Sequence, residues 1–305
     1  MTTTTVDSSI DDDDIEVIEA PDHEPESAAP RPRMARAVIR PALGIAATIL
    51  LAFVLFLLIG SRLTAARDQE LRERTLRSEL AAGSAPIGGR IDPGTPIAIL
   101  TVPDLGIRQI VAESTTATVT AGGPGHVRAT PMPGQAGNSV LIARRTTFGA
   151  PFRDLDRLEP GDTIGVVTGQ GRARYRVTEV TTTAADDATV FATTSRRGEL
   201  TLLTADPPRD ASRYLVARAR LASAPVASTP HVRRVEAAET GLVGEGSGIG
   251  ALVLGLIALA AAALGATWLA LRWRPWSAYL VSVPVLVAAT WWVFECAATL
   301  LPAAL

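Results

Sequence analysis

Leu200-Thr201-Leu202-Leu203-Thr204-Ala205-Asp206-Pro207-Pro208 reads as a β-strand from Glu199 to Thr204 that runs out at a proline-marked turn. It belongs to a series. From Ile97 to Leu221, short runs of Val, Ile, Leu, Thr and Tyr are broken by turn residues, the texture of an all-β barrel or sandwich. Further strands are expected at Ile97 to Val102, Gln109 to Glu113, Ser139 to Ala143, Thr163 to Thr168, Ala173 to Thr182 and Arg213 to Leu221. About 125 residues is enough for one independent hydrophobic core.

Around this block the texture changes sharply. Residues 1–40 form an acidic, Pro-rich tail with the run Asp11-Asp12-Asp13-Asp14, ending in a basic flank of Arg31, Arg33, Arg36 and Arg40. Such a segment cannot bury enough surface to offset ordering entropy, so disorder is expected. Residues 41–60 carry no charge and are long enough to cross a bilayer as a helix. Residues 61–96 read as a solvated helical stalk, with Glu70 and Arg74 four apart, followed by a Gly/Pro-rich linker. Beyond the β block, 222–248 is a second linker, 249–271 a second span, 272–276 a basic Arg-Trp-Arg-Pro-Trp hairpin, and 277–301 a third span. Pro284 is tolerated there, and Trp291 and Trp292 mark an interface, which puts Glu295 at headgroup depth. A hairpin with Arg272 and Arg274 suits the cytoplasmic side. Three spans then place the N-terminus in the cytoplasm and the β domain outside.

Composition excludes several classes of function. Of 305 residues, 47% are hydrophobic, and every basic side chain is Arg, with a formal net charge of -2. Dispersed arginines and few aromatics give no case for nucleic acid. The single cysteine, Cys296, lies in the third span, so no disulfide framework or Cys-based zinc site can form within one chain. His23, His126 and His231 lack metal-ligand spacing, and Asp186 and Asp187 read as a solvated loop. Neither a cofactor nor a metal is expected.

Four motifs follow in order within the β block. Ile99-Leu100-Thr101-Val102-Pro103-Asp104-Leu105-Gly106-Ile107 is the first, and Gly123-Pro124-Gly125-His126 with Pro133-Gly134-Gln135-Ala136-Gly137-Asn138 the second. Arg145-Thr146-Thr147-Phe148-Gly149-Ala150-Pro151-Phe152, continuing to Leu155, Leu158, Pro160, Gly161 and Asp162, is the third, and the strand at Leu200 the fourth. Together they resemble the sortases, closest to the actinobacterial class E type, over residues 97–221. The resemblance implies a mainly β fold: a sortase-like closed β-barrel of roughly eight strands with short helices, here joined to three transmembrane helices.

Active sortases use a Cys nucleophile, a His acid-base and an Arg that stabilises the oxyanion. The resemblance aligns these positions with Ala205, Arg144 and Tyr214. A methyl group cannot attack a carbonyl, and Arg144 cannot act as a base at ordinary pH. Thr204 and Arg213 are displaced by one residue on their strands and so point to the opposite face. His126 belongs to a structural turn. No catalytic residue is therefore carried over, and the expectation is of a non-enzyme. Arg144 and Arg145 beside Tyr214 would instead line a binding groove for a carboxylate, phosphate or peptide, unless Arg144 merely pairs with Asp206 across a filled one. Expected partners are the plasma membrane and a secreted peptide, sorting signal, surface protein or active sortase. The alternatives are a transpeptidase acting on LPXTG-like signals and a structural subunit of a membrane complex.

Overall fold

The protein is described from a computed structural model, which covers Thr2 and residues 49–184, 187–192, 197–208, 212–229, 248–272, 275–298, 300 and 304. The acidic tail, its basic flank, His23, Asp186, His231 and most of the second linker lie outside the described residues.

The strands are β1 (Pro96–Val102), β2 (Ile107–Glu113), β3 (Gly125–His126), β4 (Gly137–Ile142), β5 (Thr163–Thr168), β6 (Gly171–Ala184), β7 (Gly198–Asp206) and β8 (Arg213–Leu221). They close in the order β1-β2-β3-β4-β7-β8-β6-β5. The pairs β2–β3 and β4–β7 are parallel, and the other pairs are antiparallel. Alternation places one face inside: on β5, Ile164, Val166 and Thr168 are buried while the residues between them are half-exposed. Ile164 and Val166 join Leu100, Phe152, Leu155, Tyr175 and Leu202 in the main core, and each fully buried side chain of this size contributes about 1.5–3 kcal/mol.

Two turns show why their residues stand where they do. Tyr175, wholly buried, accepts a 2.6 Å hydrogen bond from the Gly134 N–H, and burial pushes its phenol up to about 12. That bond pins the turn before β4 to the barrel. At Gly125, a Cβ would lie 2.2 Å from the Ser114 carbonyl oxygen and 3.1 Å from Thr115 Cα, both backbone atoms that cannot step aside. Glycine is what allows β3 to lie against the end of β2. Gly125→Ala is expected to cost about 3 kcal/mol or more by forcing the β2–β3 pair apart, read as a fall in the thermal midpoint of the detergent-solubilised chain.

Helix α1 (Ile49–Ala82) begins apolar and ends charged. Its charged part corrects the expectation of a solvated stalk. Leu76 is fully buried against Ala85 and Ile110. The Gln69 amide donates to the carbonyls of Ile110 (3.0 Å) and Gly122 (2.6 Å), and its Oε1 accepts from the Ile110 N–H at 2.7 Å. Gln69 thus satisfies the stretch of β2 that two-residue β3 is too short to cover. Helix α2 (Ala117–Ala121) is a single turn between β2 and β3.

Helices α3 (Gly248–Arg272) and α4 (Pro275–Ala298) follow the barrel. Among the described residues, three helical stretches are long and apolar enough to cross a membrane: Ile49–Ala82, Ile249–Leu269 and Leu280–Ala298. α1 meets α4 through Phe53–Phe294 at 5.3 Å and Phe56–Trp291 at 4.9 Å between ring centroids, both edge-on, the favoured aromatic geometry. Trp291 Nε1 donates to Glu295 Oε1 at 3.0 Å, so the acidic residue of this helix is held within its own last turns.

Candidate functional site

β4 and β7 run in parallel with Ile142 opposite Leu203, and β8 returns antiparallel with Tyr214 opposite Ala205. This register gathers the ends of three strands at one end of the barrel, bringing Arg144, Arg145, Ala205 and Tyr214 into one neighbourhood. Tyr214 is fully buried, whereas neighbouring Arg213 is exposed and pairs with Asp206 at 3.2 Å.

The side chains are disposed differently from the expected groove. Arg144 is wholly buried. Its guanidinium donates to the Ala117 carbonyl at 3.0 Å and to Thr147 Oγ1 at 3.2 Å, and it lies over the Phe148 ring, 4.7 Å from the centroid. No carboxylate faces it among the described residues, and Nε has no partner. Desolvation alone pushes its pKa down to about 9. Arg144 is therefore a core cation held by dipoles and a π-face, not a groove-lining one.

The pairing imagined between Arg144 and Asp206 belongs instead to Arg145. Arg145 Nη1 donates to Asp206 Oδ1 and to the Ala205 carbonyl, both at 2.9 Å. This charge-assisted pair ties the β4 exit loop to the end of β7.

The loop after Arg145 is strained. Phe148, Gly149 and Ala150 all have left-handed φ (51°, 80° and 48°), unusual for the two residues with a Cβ. It is over-determined by its surroundings: the Phe148 N–H donates to Ser61 Oγ of α1 at 3.0 Å, and Arg144 covers the ring.

A second, smaller core underlies this end of the barrel. It contains Val127, Val140, Ile142, Val190, Leu203, Ala205, Tyr214, Val216 and, from the far end of the chain, Ala304. Ala304 is fully buried. Its carbonyl accepts from the Arg145 N–H at 3.2 Å and from Thr204 Oγ1 at 3.4 Å; Thr204 Oγ1 also donates to the Ala143 carbonyl at 2.8 Å. Sequence reasoning found Arg145, Ala205 and Tyr214 through the motifs, but missed Thr204 as a donor and Ala304 altogether. An alanine after a membrane span carries no signal of burial in a distant barrel.

Other singled-out residues have local partners. His126 is buried, with Nδ1 2.9 Å from Glu113 Oε2 and Nε2 3.0 Å from the Pro131 carbonyl. Asp187 caps a short helical turn, accepting from the Thr189 N–H and from the hydroxyls of Thr183 and Thr189. Among the described residues, no group of three or more His, Cys, Asp or Glu side chains could hold a metal ion.

Comparison with known proteins bears on the same region. The sortase domain family model matches residues 100–222, the barrel portion of the chain. Over 139 residues it is 31% identical to Sortase SrtE1 of Streptomyces coelicolor, a match that covers 43% of this chain and 39% of that protein. The chain thus matches well under half the length of that curated relative. Among solved structures, sortase E of Streptomyces avermitilis is 30% identical with a TM-score of 0.40, over 44% of this chain and 91% of that one. A Clostridium perfringens Sortase D5 transpeptidase is 23% identical with a TM-score of 0.45, over 52% of this chain and 99% of that one.

These matches correct the expectation of a non-enzyme. A sortase domain that resembles a class E sortase belongs to a family of cysteine transpeptidases.

Proposed function

We propose that this is a multi-pass membrane protein whose sortase domain lies outside the cytoplasmic membrane and binds an extended peptide at the end of β4, β7 and β8. The peptide is a sorting signal or a segment of a secreted or surface protein, an active sortase included. One observation carries this reading. Where the motif positions converge, the Arg145 N–H and the Thr204 hydroxyl both donate to a main-chain carbonyl from a segment outside the barrel, beside the small apolar core that contains Ala205 and Tyr214. Main-chain donors give affinity for any extended chain, and side-chain pockets sort one from another. Arg144, proposed from the sequence as a binding residue, serves from beneath by bracing the strained 148–150 loop.

The test is fluorescence anisotropy of labelled sorting-signal peptides titrated with the full chain in nanodiscs, with the products analysed in the same tube. Saturable binding is expected, and flat titrations with every peptide would remove the reading. The family match favours transpeptidation as a second reading, and cleavage of the peptide would establish it.

A further inference from the structure

The apolar part of α1 does not end as a regular α-helix. Phe56–Gly60 form a π-helical turn, a departure that recurs at functional sites. At Gly60, within that turn, a Cβ would come to 2.8 Å from Phe56 Cδ2 and 3.0 Å from the Trp291 ring of α4. Glycine therefore lets the indole lie against the helix. An apolar groove of about 480 Å³ runs between the two helices here, lined by Leu55, Phe56, Ile59 and Leu63 of α1 and by Leu286 and Trp291 of α4.

At the barrel end of this groove the chemistry changes. Arg62 stands on the same turn of α1 as Gly60 and Leu63, yet it lines a second groove of about 340 Å³ between α1, the start of β2 and the strained loop. Arg153 lines it from the loop side, beside Asp154. Both arginines are exposed, and neither joins an ion pair among the described residues. Other cations near this part of α1 are engaged: Arg77 and Arg108 pair with Glu73, and Arg74 pairs with Glu70. Two uncommitted guanidinium groups against one carboxylate leave a net positive recess where the apolar groove ends.

We propose that α1 and α4 hold one anionic phospholipid, with an acyl chain in the groove against Trp291 and its phosphate between Arg62 and Arg153. The sequence of surfaces, apolar and then cationic, follows the plan of such a lipid, and the guanidinium fork matches phosphate oxygens. The inference rests on the reading of α1 and α4 as membrane spans, and it adds a lipid site beside the barrel. The recess includes Gly149 and Ala150, so a bound headgroup braces the same strained loop that Ser61 holds.

The test uses the full chain in nanodiscs with four of its five tryptophans replaced by phenylalanine, leaving Trp291 as the fluorophore. Quenching by phosphatidylglycerol brominated on its acyl chains is compared with quenching by phosphatidylcholine brominated in the same way. One charged contact at a membrane surface gives about a fivefold preference. Brominated phosphatidylglycerol is therefore expected to reach half-maximal quenching at a mole fraction at least about fivefold lower. Arg62→Gln combined with Arg153→Gln should abolish that preference and leave quenching by phosphatidylcholine unchanged, which reports an intact groove. Arg67→Gln, at an exposed arginine outside both grooves, should keep the preference.

Equal quenching by the two lipids would overturn the site and leave the membrane spans standing, whereas quenching by neither would remove the spans as well. An equal loss of preference in Arg67→Gln would reduce the effect to diffuse surface charge and also overturn the site. Soluble glycerol phosphate at millimolar concentration should leave quenching unchanged; displacement by it would make the recess a site for free phosphate and overturn the lipid assignment. The chain with all five tryptophans guards against a folding defect of the four substitutions. Released from mixed nanodiscs in a mass spectrometer, it should retain phosphatidylglycerol over phosphatidylcholine, and equal retention would overturn the proposal.

Discussion

Arg144→Glu is expected to unfold the barrel. The native side chain is fully buried, and its guanidinium faces the Ala117 carbonyl, the Thr147 hydroxyl and the face of Phe148. A carboxylate there meets a carbonyl oxygen and the negative face of a ring instead of being held by them. An unpaired buried charge costs several kcal/mol, which is comparable to the whole stability of a domain of this size. The expected result is loss of a cooperative thermal transition in the full chain in detergent. Loss of peptide capture in this variant would then report unfolding, not a lost contact. A thermal midpoint within a few degrees of the parent would show that Arg144 is not the core cation described.

Arg144→Met separates charge from volume. The native pKa, held near 9 by burial, lies well below the ordinary arginine range, so folding disfavours the charged form. At neutral pH both folded and unfolded chains carry the proton, and this cost is present in full; it is relieved only as pH rises above about 9. Methionine removes the cost while leaving the Ala117 carbonyl short of a donor, worth about 1–3 kcal/mol. A near-neutral effect on the thermal midpoint at pH 7 is expected.

How much of this was legible depends on the length scale of each signal. Thr163–Thr168 and Arg213–Leu221 were readable to the residue, because each carries enough period-2 alternation between turn residues. β3 was not: two residues, Gly125 and His126, have no periodicity, and only the close approach of the Ser114 and Thr115 backbone explains the glycine. The polar part of α1 looked solvated because Gln69 and Arg72 are polar. Yet Gln69 serves as a surrogate strand for Ile110, and Arg72 donates to the Val119 carbonyl at 3.0 Å. Polar residues that satisfy another element's backbone look identical, in sequence, to residues that face water. The motifs single out Arg144, Ala205 and Tyr214 on the chain, but the depth of Arg144 is a tertiary fact. An arginine without a carboxylate partner is rarely so deep.

The pair formed by His126 and Glu113 gives the second large effect. β2 and β3 run parallel with these two residues in register, and both are nearly inaccessible to solvent. Glu113 Oε2 lies 2.9 Å from Nδ1 and the Pro131 carbonyl 3.0 Å from Nε2. A carbonyl can only accept, so Nε2 carries a proton. One further proton bridges Nδ1 and Glu113 Oε2, so the two side chains form a buried hydrogen-bonded pair. His126→Ala then strands a buried carboxylate and is expected to cost about 3–5 kcal/mol. His126→Leu combined with Glu113→Leu removes both polar groups while keeping volume, and replacing a whole pair is far less costly than breaking it. The double variant should therefore be markedly more stable than either single one. A double-mutant cycle of thermal or denaturant midpoints measures that coupling. Additive losses would mean that the two groups do not share a proton-bridged pair. Peptide binding in the folded double variant should match the parent, because this pair anchors β3 and the site is built from β4, β7 and β8.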